Sequence, residues 1–180
     1  MANIITGIVV VALVIGAVMT LTSASLSSTS NISLSWNDMT NRTGEKARTE
    51  LQLITADING TGSKDVDISL RNIGQTALTD IPDWDVIIQY YRSQGNLNLE
   101  ILRADYSTSN PPPHQGWTLV GIYLDADSLE AEVYEPNVFN PGEEMIIRVH
   151  IGPPPIPGST DNRVTIGTAN GVTLSAPFSR

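Results

Sequence analysis

The chain carries no charged side chain before Asp38, and its first part is dominated by one long apolar run. The 18 residues from Ile4 to Leu21 are almost wholly apolar and, at 1.5 Å per residue, would form a helix about 27 Å long. That length is close to the ~30 Å hydrocarbon core of a bilayer. Because apolar side chains surround this helix on every side, we expect it to be buried all round, by lipid or by other helices.

Three kinds of N-terminal segment share this composition. A cleaved secretory signal has a basic start and a small-residue cleavage site, and Ser23-Ala24-Ser25 offers such a site, but no Lys or Arg precedes Arg42. A permanent membrane anchor carries basic residues on its cytoplasmic flank, and none is present here. A processed subunit fits best, since its basic leader has been removed and its helix later leaves the membrane to pack in the core of a helical filament.

The apolar run also suggests how far the assembly element extends. Ala12 and Gly16 form a small-xxx-small pair, which permits close approach of two helix backbones. After Leu21 the sequence becomes rich in Ser and Thr, and we expect the helix to continue to about residue 28 and then bend. The predicted division is an assembly helix over residues 1–30 and a head domain over residues 31–180. The predicted polymerisation core consists of Ile4, Ile5, Ile8, Val11, Ala12, Val14, Ile15, Gly16, Val18 and Leu21.

Beyond Leu34 the apolar residues alternate with polar ones, which is typical of half-buried strands. A hairpin is predicted at Asn59-Gly60, between strands at Thr49–Thr55 and Val66–Arg71. Further strands are predicted at Asp85–Arg92, Leu97–Arg103, Thr118–Tyr123, Glu130–Tyr134, Met145–Ile151, Arg163–Gly167 and Val172–Ala176. The predicted fold class is α+β, with one long N-terminal hydrophobic helix followed by an immunoglobulin-like antiparallel β-sandwich.

Composition excludes several function classes. The net charge of -9 argues against binding of nucleic acid, whose phosphates require a basic face. Cysteine is absent, so no disulfide, thiolate metal site or thiol nucleophile exists. The two histidines, His114 and His150, lack metal-ligand spacing, and no nucleophile elbow or phosphate-binding loop occurs. We therefore expect no catalytic residue, no metal and no cofactor.

Two surface features are open to more than one interpretation. An acidic run could supply oxygen ligands to Ca²⁺, but it lacks EF-hand spacing, and a solvated acidic face explains it better than a bound cation. Its members are Asp125, Asp127, Glu130, Glu132 and Glu135. Three N-x-[ST] sequons are candidate acceptors for N-linked glycans on an exposed surface. They begin at Asn31, Asn41 and Asn59.

Four short phrases of the head resemble the archaellum family, which comprises the archaellins (archaeal flagellins) and related sandwich proteins of the same motor. Arg71–Leu78 (RNIGQTAL) is similar to the family's strand, N-x-G and turn segment. Ile81–Ile88 (IPDWDVII) resembles the aromatic-Asp-Val strand that follows it. Asn140–Met145 (NPGEEM) is similar to an N-P-G-E turn before a late strand, and Asn170-Gly171-Val172 with Phe178 resembles the closing strand.

The resemblance implies a filament subunit that is made with a basic leader, cut by a prepilin-type peptidase and assembled by a membrane platform with a cytoplasmic ATPase. Its helices would form the filament core and its sandwich the outer wall. No leader precedes the apolar run here, so Met1 is expected to be the first residue of the processed chain. The acidic residue often found early in the mature helix of pilin-like proteins is also missing. A charge contact that aligns each subunit with the next during assembly therefore has no basis in this sequence.

The sequence as a whole predicts a structural subunit of a helical motility filament on the cell surface. This subunit would be membrane-inserted before assembly and homo-oligomeric afterwards. A membrane-anchored archaellum stator protein and an adhesive type IV-like pilus subunit are the alternatives within the same fold. A secreted binding module or enzyme on a membrane stalk is the alternative from another class.

Overall fold

A computed structural model of the protein describes residues 2–58, 64–92, 98–153, 155 and 162–178. The chain divides after Gly44 into two compact units. Helix α1 spans Ala2–Arg48, 47 residues, and is therefore about 70 Å long. The first unit is α1 up to Gly44, and the second contains the last turn of α1 and all the strands.

The predicted end of the helix at about residue 28, and the predicted domain boundary after residue 30, are placed too early. Residues 31–48, assigned to the head by sequence, are helical. No proline occurs before Pro82, and an exposed Asp38–Arg42 pair (3.1 Å) is spaced i, i+4 along the helix. Lys46 and Arg48 lie in the last turn, where cations are favourable. These signals, rather than the low helix propensity of the Ser- and Thr-rich stretch, decide where the helix ends.

The described residues of the second unit form nine strands and one 3₁₀ turn at Ile81–Asp83. The strands are β1 (Leu51–Ile58), β2 (Asp65–Asn72), β3 (Asp85–Tyr91), β4 (Leu99–Tyr106), β5 (Gly116–Asp125), β6 (Glu130–Ala131), β7 (Glu144–His150), β8 (Asn162–Gly167) and β9 (Thr173–Phe178).

The strands form two antiparallel layers that join at one corner. One layer has the order β1-β2-β7-β5-β6 and the other the order β9-β8-β3-β4. The corner is a short parallel pairing of β4 with β5, in which Asp105 lies opposite Gly116 and Tyr106 opposite Trp117. Strand β1 also contacts β9, so the two layers approach a barrel. The predicted α+β architecture is confirmed, and the parallel corner is the one departure from antiparallel pairing among the described strands.

Alternation along the strands places the core between the two layers. In β7, Met145, Ile147 and Val149 are completely buried, while the residues between them are only partly covered. Strand β3 of the other layer repeats this pattern. The largest side chains with less than 2% exposure include Trp117, Tyr90 and Phe139. The head thus has a core of its own, which lies wholly within the second unit.

One predicted head strand differs from the structure in detail. The strand predicted at Glu130–Tyr134 contains only Glu130 and Ala131, because the Glu132 carboxylate accepts the backbone N–H groups of Tyr134 and Glu135 and so forms a turn. Strands β1 and β2 pair antiparallel, as the hairpin prediction requires. The predicted turn residues Asn59-Gly60 lie outside the described residues, as does Leu97.

Candidate assembly helix

The residues predicted to form the polymerisation core all lie on α1, and the chain covers none of them. The eight large apolar side chains among them are 50–72% exposed, and Ala12 and Gly16 are exposed as well. The helix is long and apolar enough to cross a membrane, with a mean hydropathy of 2.8 in its most apolar window. An apolar surface of this size requires a cover that this chain does not supply.

Glycines on the same segment leave room for close approach. A Cβ atom added at Gly7 or Gly16 would have no neighbour within 4 Å in the chain. Packing within the subunit therefore does not explain glycine at either position, although glycine lowers helix stability by about 1 kcal/mol relative to alanine. Small residues at such positions allow the backbone of a second helix to come close.

Five threonine hydroxyl groups of α1 are satisfied within the helix. Thr20, Thr22, Thr29, Thr40 and Thr43 each donate to the carbonyl oxygen four residues earlier, over 2.6–2.9 Å. Such back-bonding leaves no free hydroxyl donor at these threonines. The polar half of the helix, residues 22–48, can therefore pack against other helices with a smaller desolvation penalty than its composition suggests.

An exposed apolar surface that the sequence analysis missed continues along this polar half. Its side chains are 64–70% exposed, as large a fraction as in the apolar run. Its members are Leu26, Ile32, Leu34, Trp36 and Met39. Ile32, Trp36 and Met39 line a shallow groove of about 360 Å³. Their i, i+4, i+7 spacing is the helical signal that would have identified them.

The last turn of α1 is held by a loop of the head. Gln75 N–H donates to the carbonyl oxygen of Arg48 over 2.8 Å, and Gly74 N–H donates to that of Glu50 over 3.0 Å. A Cβ atom at Gly74 would lie 2.5 Å from the Glu50 nitrogen and 2.6 Å from the Arg48 oxygen. On the other side, Asn170 Nδ2 donates to Thr49 Oγ1 over 2.8 Å. Glycine is therefore required at position 74 because two backbone segments meet there.

Asn72 joins two of the phrases on which the archaellum resemblance rests. Its side chain is completely buried and donates to the carbonyl oxygens of Thr76 and Phe139, over 2.9 and 3.0 Å. Its backbone N–H donates to the Glu143 carbonyl oxygen, and its own carbonyl oxygen accepts from Gly142 N–H. Gly142 has φ of +90°, which favours glycine. The N-x-G and N-P-G-E segments are thus neighbours in the fold.

The histidines take part in structural contacts. His150 Nδ1 lies 2.6 Å from Asp65 Oδ1, and the His114 ring centroid is 6.1 Å from that of His150. Within the described parts of the chain, no group of three or more His, Asp or Glu side chains could hold a metal ion.

The acidic run forms the β5–β6 hairpin and the turn that follows it. Asp125 Oδ1 accepts the N–H groups of Asp127 and Ser128, over 2.9 and 3.3 Å, and so shapes the hairpin turn. Four of the five acidic side chains are exposed, and Glu132 is partly buried. That this run is a solvated face without a bound cation stays a prediction.

Two sequons occupy an unexpected place. Asn31 and Asn41 lie on the exposed surface of α1 rather than in a linker or head loop, because the helix is longer than predicted. Asn59 lies outside the described residues.

No protein-family model and no curated protein sequence matches the chain. Among solved structures, a chain of the archaeal flagellum of Methanospirillum hungatei strain JF1 is similar over 97% of this chain and 92% of its own, with 15% identity and a TM-score of 0.55. The chain has the archaeal flagellum fold.

Two further structures contain archaellum periplasmic stator proteins from Sulfolobus acidocaldarius. The similarity to FlaG extends over 72% of this chain and 99% of the FlaG chain, with 23% identity and a TM-score of 0.46. The similarity to a chain in the complex of FlaF and FlaG extends over 72% of this chain and 89% of that chain, with 25% identity and a TM-score of 0.45. The similarity to the flagellum chain agrees with the fold that the resemblance led us to expect.

Proposed function

We propose that the chain is a structural subunit of a helical extracellular motility filament of the archaellum type and that it polymerises through α1. The uncovered apolar segment carries this proposal, since residues 4–21 expose half or more of every large apolar side chain. A single helix of this kind aggregates in water, whereas helical packing of identical copies buries it at any filament length. The flagellum fold, shared over 97% of the chain, supports the same function.

The chemistry of assembly in this proposal is packing rather than catalysis. Before assembly the apolar segment lies in the membrane, where no charged side chain before Asp38 has to be buried. During assembly it exchanges lipid for neighbouring helices, and the gain comes from close packing at Gly7, Ala12 and Gly16. A prepilin-type peptidase and a membrane assembly platform are the proposed partners, on the strength of the family resemblance.

A membrane-anchored stator protein is the main alternative. The same apolar run, about 27 Å long as a helix, would span a bilayer permanently. A stator acts in few copies, so its helix needs no self-complementary surface. An adhesive type IV-like pilus subunit would share the helix and the polymer but not the motility. These alternatives differ in what the chain forms outside the membrane.

Negative-stain electron microscopy of native material separates them. We expect long, smooth filaments in which this chain is the major protein, together with loss of motility when its gene is deleted. Scattered particles in the cell envelope without filaments would identify a stator. Filaments whose loss leaves motility intact would identify a pilus.

Glycosylation is a subsidiary proposal. Asn31, Asn41 and Asn59 are the proposed acceptors of N-linked glycans, because the first two are exposed on α1 and all three lie in sequons. Intact-mass and peptide mass spectrometry of native material would detect the glycans, and unmodified peptides at all three positions would overturn the assignment.

A further inference from the structure

The negative charge of the protein is concentrated in one stretch. Residues 104–147 contain eight of the 19 Asp and Glu residues and none of the 10 Lys and Arg residues. The rest of the chain therefore holds 11 acidic and 10 basic residues and is close to neutral. Where two copies of this head pack side by side, like-charge repulsion disfavours contact between their acidic stretches. The acidic stretch of one copy must therefore meet a different surface of the next copy.

The acidic hairpin, residues 124–135, also exposes large apolar side chains. Leu124 and Leu129 are 53% and 62% exposed, while Val133 and Tyr134 reach 78% and 93%. Leu124, Val133 and Tyr134 share the lining of a concavity of about 430 Å³ with the carboxylates of Glu132 and Glu135. Exposed apolar anchors with an aromatic residue among them, surrounded by charge, mark a protein-binding surface.

The charge of this hairpin excludes a symmetric contact with itself. A two-fold contact would place the exposed carboxylates of Asp125, Asp127 and Glu130 against the same groups of the partner. A helical polymer instead uses heterologous contacts, in which one patch meets a different patch on the next copy. The complementary patch must therefore offer cations and apolar side chains on another part of the head.

The outer face of the β4 layer offers both. Leu99 and Ile101 of β4 are 44% and 67% exposed, and Arg103 follows on the same face. Ile101 pairs with Gln89 of β3, which pairs with Arg163 of β8, so these three side chains share one row of the sheet. At two strand spacings, Ile101 and Arg163 are about 10 Å apart. We call this surface the β4 face.

The cations of the β4 face are available to a partner. Arg103 pairs with Asp85 in a bridge whose side chains are 72% and 53% exposed, and such a pair is readily exchanged. Arg163 makes no ion pair among the described residues and donates only to Ser175 Oγ, over 3.4 Å. Asp105 is the exposed acid of β4 itself. Outside these two surfaces, the exposed large apolar residues of the described head are the isolated Ile54 and Ile73.

We infer that the acidic hairpin of one subunit binds the β4 face of a second copy and so forms the contact between neighbouring head domains of the polymer. Val133 and Tyr134 cover Leu99 and Ile101, and the hairpin carboxylates meet Arg163 and Arg103. The inference rests on the proposed filament function, since it assigns the second contact of that same assembly.

Disulfide cross-linking tests the contact directly, because the natural chain contains no cysteine. The full chain with Val133→Cys and Ile101→Cys is oxidised after assembly and analysed by non-reducing electrophoresis. A ladder of dimers, trimers and larger species is expected. The control chain carries Val133→Cys and Ile54→Cys, with the second cysteine on β1, and should give no ladder. Strong dimer formation by Val133→Cys alone would show a symmetric contact and overturn the inference.

The same samples are examined for filaments, which separates the two proposals. Filaments without an Ile101-dependent ladder would overturn the hairpin contact and leave the filament function standing. Neither filaments nor a ladder would overturn both.

Charge reversal provides an independent readout. Arg163→Glu or Glu130→Arg should each raise the subunit concentration needed for assembly about tenfold, the equivalent of one lost charge contact. The double variant should recover most of the loss. A double variant no better than either single variant would show that these residues do not face each other.

Discussion

Gln75 N–H donates a 2.8 Å hydrogen bond to the carbonyl oxygen of Arg48, the last residue of α1. This bond ties the end of the helix to the loop after β2, and Gly74 beside it lets the two backbones meet. The helix terminus thus finds a partner for a carbonyl group that would otherwise lack one. Asn72, the last residue of β2, and Gly74 in the loop after it are therefore expected to contribute to the stability of the head.

Gly74→Ala should lower the free energy of unfolding by about 1–3 kcal/mol, because the new Cβ atom would overlap backbone atoms that cannot move aside. Denaturant unfolding in detergent, followed by tryptophan fluorescence, measures the change. Gly44→Ala is the matched control, since its Cβ atom would meet nothing within 4 Å. That control should gain up to about 1 kcal/mol of helix stability. Equal effects at the two glycines would contradict the steric argument.

Asn72→Ala should be destabilising because it leaves the carbonyl oxygens of Thr76 and Phe139 without their side-chain donor. The Phe139 oxygen keeps the backbone N–H of Leu78 as a donor, so the two lost bonds together should cost about 1–3 kcal/mol. Asn72→Asp is the more specific test, since it keeps the shape of the side chain but replaces its NH₂ donor by an acceptor. A stability of Asn72→Asp equal to that of the natural chain would show that these hydrogen bonds are not needed.

Val14→Asp should abolish filament formation, because it places a carboxylate in an apolar segment that must be buried in lipid or among helices. The insertion penalty for Asp at the centre of a membrane helix is about 2.5–3.5 kcal/mol. Val14→Leu is the control and should assemble normally. Near-ultraviolet circular dichroism should show an unchanged head in both variants. Normal filaments from Val14→Asp would rule out the helical-core arrangement.

A fragment of residues 45–180 should be folded, soluble and monomeric, since the second unit contains the whole buried core. Size-exclusion chromatography with light scattering measures its mass. A fragment beginning at Ser33 should also be monomeric, with the additional exposed residues Leu34, Trp36 and Met39. Polymerisation of the 45–180 fragment would show that α1 is not the assembly element.

Alkaline pH should destabilise the head through Tyr90. Burial raises the pKa of its phenol above the ordinary value of 10.0, and the carboxylate of Glu100 adds to this effect. The unfolded chain therefore loses this proton first as pH rises, and the free energy of unfolding falls from about pH 10 upward. Tyr90→Phe should unfold with a shallower dependence on pH in that range. Identical slopes for the two proteins would contradict the prediction.

Much of the head could be predicted from local sequence. The alternation at Val66–Arg71 and the apolar run at Asp85–Arg92 place β2 and β3 to within a residue or two of their ends. The end of α1 could not be predicted in this way, because Ser, Thr and Asn after Leu21 have low helix propensity and indicated a linker. What favours helix over residues 29–48 is visible in the i, i+4 ion pair of Asp38 with Arg42 and in the anchoring of Arg48.

Two conclusions depend only on composition and period along the chain, namely that residues 4–21 need a cover and that the head is a sandwich. The contact of Asn72 with both the N-x-G and N-P-G-E segments, and the common sheet row of Ile101 and Arg163, could be seen only in the folded chain. These relationships depend on strand order and register, which bring together residues far apart in the chain. The pattern along each strand indicates which side chains are buried, but not which strand lies beside it.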